Sequence, residues 1–176
     1  MNVQEATTRR LPDLKERHLP ENCRETINTI LKETYGYEQF RNLEIYDDLS
    51  KGKEKLCISQ GQLIENVILE AEKAWKSETQ VDNILLTAPT GSGKSLLFQL
   101  PAIYLGKGYN LLTIVVSPLK ALIVDQVESL QELGYTRVAY ASSDLSPEQK
   151  MEVYRQVREG EIDLFYLSPE LLLSYD

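Results

Sequence analysis

The sequence predicts an α/β protein: a parallel sheet with helices on its faces, preceded by a mostly helical N-terminal segment. From Val81 onward, short apolar runs alternate with stretches of helical periodicity, the pattern of parallel strands joined by crossover helices. A glycine-rich loop, "APTGSGKS", stands between the first apolar run and the helix that follows it. Residues up to about Lys76 are rich in charge and tyrosine, with few strand signals. We therefore expect a helical or inserted segment over residues 1–58 and the α/β domain over residues 59–176.

The first half of the chain contains two stretches with the spacing of amphipathic helices. "CRETINTILKETYG" places Ile27, Ile30 and Leu31 on one stripe and ends at Gly36, a residue suited to the position after a helix. "DDLSKGKEK" then predicts a polar turn. "SQGQLIENVILEAEKAW" predicts a second helix, whose apolar stripe is Leu63, Ile64, Val67, Ile68 and Ala71.

Four short apolar runs predict the strands of the sheet. The first, "NILLT" over residues 83–87, precedes the glycine-rich loop and is typical of a buried strand. The later strands are predicted over residues 111–117, 136–142 and 162–168, in "LLTIVVS", "TRVAYAS" and "IDLFYLS". Because helices separate them, we expect these strands to run parallel.

Each interval between the strands carries helix signals. "KALIVDQVESLQEL" is stopped by Gly134. In "SPEQKMEVYRQVREG", Ser146 can cap the helix, Pro147 fits its first position and Gln149 completes a capping box, while Gly160 suits the exit.

The glycine-rich loop predicts a phosphate-binding site. Gly91 and Gly93 permit the backbone angles that let several N–H groups converge at close range. Lys94 can reach the outer phosphates, and Ser95 can ligate Mg²⁺. The strict phosphate-loop pattern, G-x-x-x-x-G-K-[ST], has glycine at the position of Ala88. A predicted strand before the loop and a helix after it nevertheless supply the expected context. We expect ATP and Mg²⁺ as cofactors, held by Thr90, Gly91, Ser92, Gly93, Lys94 and Ser95.

Composition limits the other classes of function. Hydrophobic residues make up 42% of the chain, a globular value, and the net charge is −8, so binding of a polyanion would need local contacts or a partner domain. Cys23, Cys57 and His18 are too few for a zinc cluster. The N-terminus has no apolar stretch typical of a secretory signal, and no run is long enough to span a membrane. We expect a cytoplasmic or nucleoid-associated protein that is not secreted.

Four stretches resemble the motifs of one family. "APTGSGKS", with Ala88 first, is similar to motif I of superfamily-2 helicases. "VVSPLKALIVDQV" resembles motif Ia of RecQ-like DNA helicases, and "YLSPELLL" resembles their motif Ib region. "SQGQLIENVI" resembles their glutamine motif. The resemblance covers residues 59–176, and it implies the first RecA-like ATP-binding domain of an ATP-driven DNA helicase.

The resemblance also implies roles for individual residues. Gln62 would form hydrogen bonds with the adenine edge. A nucleic-acid backbone, DNA in preference to RNA, would be faced by Ser117, Pro118, Lys120, Ser168 and Pro169. These residues follow predicted strands at their carboxyl ends, where ligands bind in open α/β sheets. Simple capping of the next helix is the alternative role for both Ser-Pro pairs.

A further segment, "YGYEQFR", matches the family less directly. By the resemblance, Tyr37 would stack on adenine with Arg41 opposite. In RecQ-like proteins this segment joins the glutamine motif directly, whereas here residues 42–58 lie between the two. Either something has been inserted or the match is accidental, and Tyr37 could instead pack a helix end.

Parts of the family's machinery are not found in this sequence. It contains no Asp-Glu pair that could serve as the acidic motif II, and Asp125, Asp144 and Asp163 are interpreted as solvated or capping acids. We expect an incomplete domain, truncated before motif II and without the second lobe, so that the chain alone lacks helicase activity. A standalone nucleotide-sensing or interaction module is the alternative. A small nucleotide kinase is disfavoured because no Arg or Lys follows Arg158.

Overall fold

The computed structural model describes residues 16–46, 55–77, 81, 83–86 and 90–173. Of the turn predicted over residues 47–55, residues 47–54 lie outside these ranges and Lys55 begins a strand. Thr87 and Ala88 also lie outside the described ranges. The described residues divide into two compact units: those within Met1–Thr29 and Tyr37–Pro101 form one, and those within Ile30–Gly36 and Ala102–Asp176 form the other. The boundary expected after residue 58 stays a prediction.

The first predicted helix is confirmed. Helix α1 spans Glu21–Tyr35, and the side chains of Ile27, Ile30 and Leu31 are buried. Gly36 follows with φ 69°, the left-handed conformation that lets a chain leave a helix, and its N–H donates to the carbonyl of Lys32 at 3.0 Å.

A pair of antiparallel strands follows, which the sequence analysis did not predict. Strand β1 (Asn42–Tyr46) pairs with β2 (Lys55–Ser59), and Asn42 lies opposite Ser59. Leu43 and Ile58 are buried, whereas their neighbours Glu44 and Cys57 are exposed. This alternation has the period of a half-buried strand, but each run is too short, and too interrupted by charge, to stand out in the sequence.

The helix predicted over "SQGQLIENVILEAEKAW" is confirmed. Helix α2 spans Gln60–Trp75 and begins with a capping box between Ser59 and Gln62. Its apolar stripe includes Leu63, Ile64 and Ile68, and all three are buried.

The second unit contains the predicted parallel sheet. Its strands are β3 (Thr113–Val116), β4 (Val138–Ala141) and β5 (Leu164–Leu167), in the order β3-β5-β4, with β5 parallel to both neighbours. The glycine-rich loop "APTGSGKS" is called the phosphate loop below. The helices that follow it are α3 (Leu96–Tyr109), α4 (Lys120–Glu132), α5 (Pro147–Arg158) and α6 (Pro169–Leu173). The capping box predicted for α5, from Ser146 and Gln149, is present.

One hydrophobic core joins the sheet to α5 and α6. Its buried members are Ala139, Ala141, Ile162, Phe165 and Leu167. Partly buried side chains pack against them from Val153, Tyr154, Val157 and Leu171. No helix in the described part of the chain is both long enough and apolar enough to cross a membrane.

The strand predicted at residues 83–87 is wrong for residues 83–86. These residues form no regular secondary structure, and the side chains of Ile84 and Leu85 are 49% and 90% exposed. An apolar run becomes a buried parallel strand only when neighbouring strands pair with it and helices cover its faces. Among the described strands, none pairs with residues 83–86.

A partly buried ionic network lies at the amino ends of β4 and β5. Asp163 is only 1% exposed and binds the side chains of Tyr135 and Arg137, so its interpretation as a solvated or capping acid is wrong. Its carboxylate accepts hydrogen bonds from the Tyr135 hydroxyl at 2.6 Å and from Arg137 Nε at 2.8 Å, and a second guanidinium nitrogen donates at 2.7 Å. Burial, followed by the bond to Asp163, raises the pKa of Tyr135, which therefore stays protonated as the donor.

Glycine is required where α3 passes this network. A Cβ atom on Gly106 would lie 2.3 Å from the carboxyl carbon of Asp163, far closer than van der Waals contact allows. The Asp163 side chain therefore packs directly against the backbone of α3.

Candidate functional site

The phosphate loop leads directly into α3, as the sequence predicts. Gly91 and Gly93 both adopt φ 80°, a conformation that side chains disfavour. The first backbone hydrogen bond beyond the loop joins Leu96 N–H to the carbonyl of Gly93 at 3.2 Å. The loop therefore lies at the N-terminus of a helix of 14 residues, where the helix dipole attracts anions.

The residues of this loop fit a triphosphate and its magnesium ion. Thr90, Gly91 and Lys94 are exposed, and Ser95 is half-buried. The Ser92 hydroxyl oxygen is buried and has no hydrogen-bond partner among the described residues. A lysine, a serine hydroxyl and glycines with positive φ form a donor set suited to phosphate and Mg²⁺.

Gln60, which was not among the predicted site residues, contacts this loop. Gln60 is 2% exposed. Its side-chain oxygen accepts a hydrogen bond from Arg41 N–H at 3.1 Å, and its side-chain nitrogen lies 3.2 Å and 3.4 Å from the carbonyl oxygens of Ser92 and Gly93. No signal in the sequence separates Gln60 from Gln62, because both flank Gly61 in the same helical turn.

Gln62, the residue predicted to read adenine, takes part in the cap of α2. Its side-chain oxygen accepts from Ser59 N–H at 3.2 Å, while the Ser59 hydroxyl accepts from Gly61 N–H at 3.1 Å. A carbonyl oxygen has two lone pairs, so this cap leaves one of them for another donor.

The "YGYEQFR" segment lies directly beside the glutamine motif. Gln60 N–H donates to the carbonyl of Arg41 at 2.9 Å, and the β1–β2 pair extends from this point. A Cβ atom on Gly61 would lie 2.7 Å from the ring of Phe40, so only glycine lets this ring pack so closely. Arg41 and Gln60, which flank this stretch of sequence, are therefore adjacent in space. The interpretation of residues 42–58 as an insertion stays a prediction.

Tyr37 and Arg41 face each other. The Arg41 guanidinium lies over the Tyr37 ring, 5.8 Å from its centroid, within cation–π range. Tyr37 is 48% exposed, so its ring is accessible to a planar ligand.

In the second unit, the predicted nucleic-acid residues follow the carboxyl ends of β3 and β5. Ser117 N–H donates to the carbonyl of Leu167 at 3.1 Å, which ties the two strand ends together. Pro118 is exposed and Pro169 is half-buried. Ser168 is fully buried, and its carbonyl accepts from the first turn of α6.

Lys120 is paired with the loop that follows β4. Its ammonium donates to the Ser143 hydroxyl at 2.5 Å and to the Asp144 carboxylate at 2.9 Å. The hydrogen bond from Lys120 lowers the pKa of Asp144, which therefore remains charged at neutral pH. Both side chains are largely exposed, 42% for Lys120 and 70% for Asp144, so another anion can compete for the lysine.

Comparison with known proteins gives consistent results. A family model described as DEAD/DEAH box helicase matches residues 68–176. The chain is 35% identical to the ATP-dependent DNA helicase RecQ of Synechocystis sp. over 151 residues, which are 86% of this chain and 25% of that protein. It is 32% identical to the RecQ of Bacillus subtilis over 148 residues, which are 84% of this chain and 20% of that protein. The chain therefore spans a quarter or less of the length of these relatives.

Proposed function

Because the chain belongs to the DEAD/DEAH box helicase family, we propose that it carries the ATP-binding site, and part of the DNA-contacting surface, of an ATP-dependent DNA helicase. The observation that carries the proposal is the phosphate loop, with Gly91 and Gly93 at φ 80° ahead of α3. The similarity to RecQ helicases supports DNA as the nucleic acid. On this proposal, the protein works in the cytoplasm or on the nucleoid.

The phosphate loop would hold the triphosphate. Its backbone N–H groups and the start of α3 offer donors to phosphate oxygens, and Lys94 adds a positive charge. Ser95 offers a hydroxyl oxygen to Mg²⁺, the ion that neutralises phosphate charge in this class of site.

Adenine would lie beside the glutamine motif. Gln62 would offer its amide NH₂ and the second lone pair of its oxygen to the adenine edge. Tyr37 would stack on the base, and Arg41, whose backbone is hydrogen-bonded to Gln60, would lie opposite.

The choice of base tests the adenine site. In titrations with Mg²⁺-ATP and Mg²⁺-GTP, we expect the wild type to prefer ATP and Gln62→Ala to reduce this preference by about fivefold to tenfold, the value of one or two hydrogen bonds. Thermal unfolding without nucleotide measures the separate effect of losing the cap. Failure of the wild type to bind ATP would refute the proposed function, whereas an unchanged preference in the variant would remove only Gln62 from it.

DNA would lie along the carboxyl ends of β3 and β5. Ser117, Pro118 and Lys120 would contact its backbone there, Lys120 exchanging Asp144 for a phosphate. Ser168 and Pro169 would contribute chiefly through the backbone at the start of α6, because the Ser168 side chain is buried.

The salt dependence of DNA binding tests the role of Lys120. Each phosphate neutralised on a single strand contributes about 0.7 to the slope of log affinity against log salt. We expect Lys120→Ala to weaken binding of a single-stranded oligonucleotide and to reduce this slope by about that amount, as measured by fluorescence anisotropy at several salt concentrations. The matched control is Lys107→Ala, an exposed lysine in the last turn of α3. Equal effects of the two substitutions would mean that Lys120 acts only through the overall charge.

A further inference from the structure

We propose that Gln60 is a positioning residue that holds the phosphate loop in its binding conformation. The inference rests on the proposed function for its ligand, but the geometry that carries it consists of contacts within the chain. Gln60 is buried, and its single side-chain amide is hydrogen-bonded at both ends, to Arg41 on one side and to the phosphate loop on the other.

The two bonds to the loop fix the direction of two peptide planes. In a trans peptide, the carbonyl and the N–H of the same plane point in opposite directions, and no cis bond occurs in the described part of the chain. Gln60 holds the carbonyl oxygens of Ser92 and Gly93 toward itself. The N–H groups that share these planes, those of Gly93 and Lys94, therefore point away from Gln60, toward the side where a phosphate can approach.

The fit between Gln60 and the loop leaves no spare room. A Cβ atom on Gly93 would lie 2.6 Å from the side-chain nitrogen of Gln60. Glycine at this position thus serves two purposes, since it permits φ 80° and lets the amide approach the carbonyl.

The other end of Gln60 is attached to the segment proposed to hold the base. Arg41 donates its N–H to the Gln60 side chain and accepts the Gln60 N–H at its carbonyl. Gln60 therefore connects the phosphate loop to the "YGYEQFR" segment without being available to the nucleotide itself. A residue in this position should affect all triphosphates alike, whatever their base.

Two substitutions separate this role from simple loss of packing. Gln60→Ala removes both ends of the bridge, whereas Gln60→Glu keeps the shape and the acceptor for Arg41 but puts a carboxylate oxygen against the loop carbonyls. In hydrogen exchange without nucleotide, where base recognition plays no part, Gln62→Ala is the matched control, because it removes an amide from the same helical turn. Hydrogen exchange of the peptide spanning residues 90–95, measured without nucleotide, reports the order of the loop directly.

We expect this peptide to exchange about fivefold faster in both Gln60 variants than in the wild type and Gln62→Ala, the effect of losing roughly one hydrogen bond. We also expect affinities for Mg²⁺-ATP, Mg²⁺-GTP and inorganic tripolyphosphate to fall together, by about fivefold to tenfold. Unchanged exchange in a folded Gln60→Glu protein would overturn the inference, whether or not the chain binds ATP. A loss confined to ATP would also overturn it, because Gln60 would then read the base.

Discussion

Asp163→Ala is expected to lower the free energy of unfolding by about 3 kcal/mol, at the lower end of the cost of breaking a buried ion pair. The carboxylate accepts from both Tyr135 and Arg137, and its removal leaves the buried Tyr135 hydroxyl without this acceptor. The cost stays near the lower limit because the Arg137 side chain is 41% exposed and can be solvated. Urea unfolding followed by circular dichroism measures the change.

Two further substitutions test whether the carboxylate is the centre of the network. Tyr135→Phe removes one hydrogen bond and should cost about 1 to 2 kcal/mol. Asp144→Asn, a change in an exposed ion pair, should leave the unfolding midpoint close to that of the wild type. If Asp163→Ala proved milder than Tyr135→Phe, the carboxylate could not be the centre of the network.

Lys94→Ala is expected to abolish most of the stabilisation that Mg²⁺-ATP gives to the chain. A ligand at 100 times its Kd stabilises a fold by about 2.7 kcal/mol, or roughly 5–10 °C in Tm for a chain of this size. Loss of a charge that contacts the outer phosphates should weaken binding by about a hundredfold, which leaves about 0.4 kcal/mol at the same ATP concentration. Thermal-shift measurements on both proteins detect the difference.

Two controls accompany this substitution. Lys94 is exposed, so without nucleotide the variant should unfold within about 0.5 kcal/mol of the wild type. Chelation of Mg²⁺ by EDTA should reduce the ATP-induced shift of the wild type, since the ion neutralises phosphate charge. Equal ATP-induced shifts in wild type and variant would contradict the assignment of the phosphate loop.

Local patterns predicted the helices and the sheet better than they predicted the contacts of the site. The stripe of Ile27, Ile30 and Leu31 and the cap at Ser146 depend on neighbours in sequence, and both are found. The strand expected at residues 83–87 failed over residues 83–86 because hydrophobicity alone cannot supply a pairing partner.

The errors at individual side chains have the same origin. Asp163 looked like a solvated acid because its partners, Tyr135 and Arg137, are more than twenty residues away along the chain. Gln60 was missed because its role depends on the direction of carbonyl groups in a loop that begins some thirty residues later. Periodicity describes which face of an element is apolar, and it carries no information about such distant polar partners.

The hydrogen bonds between Arg41 and Gln60 affect which insertions and deletions the protein can tolerate in evolution. Arg41 and Gln60 are hydrogen-bonded where the β1–β2 pair begins. The number of residues between them can therefore change while both keep their positions. Doubling the length of a loop costs only about 0.6 kcal/mol in closure entropy. Insertions or deletions in multiples of two residues would also preserve which strand faces are buried. The segment between Arg41 and Gln60 can therefore accept changes in length during divergence. The same changes would disrupt the first turn of α2, which holds Gln60 and Gln62.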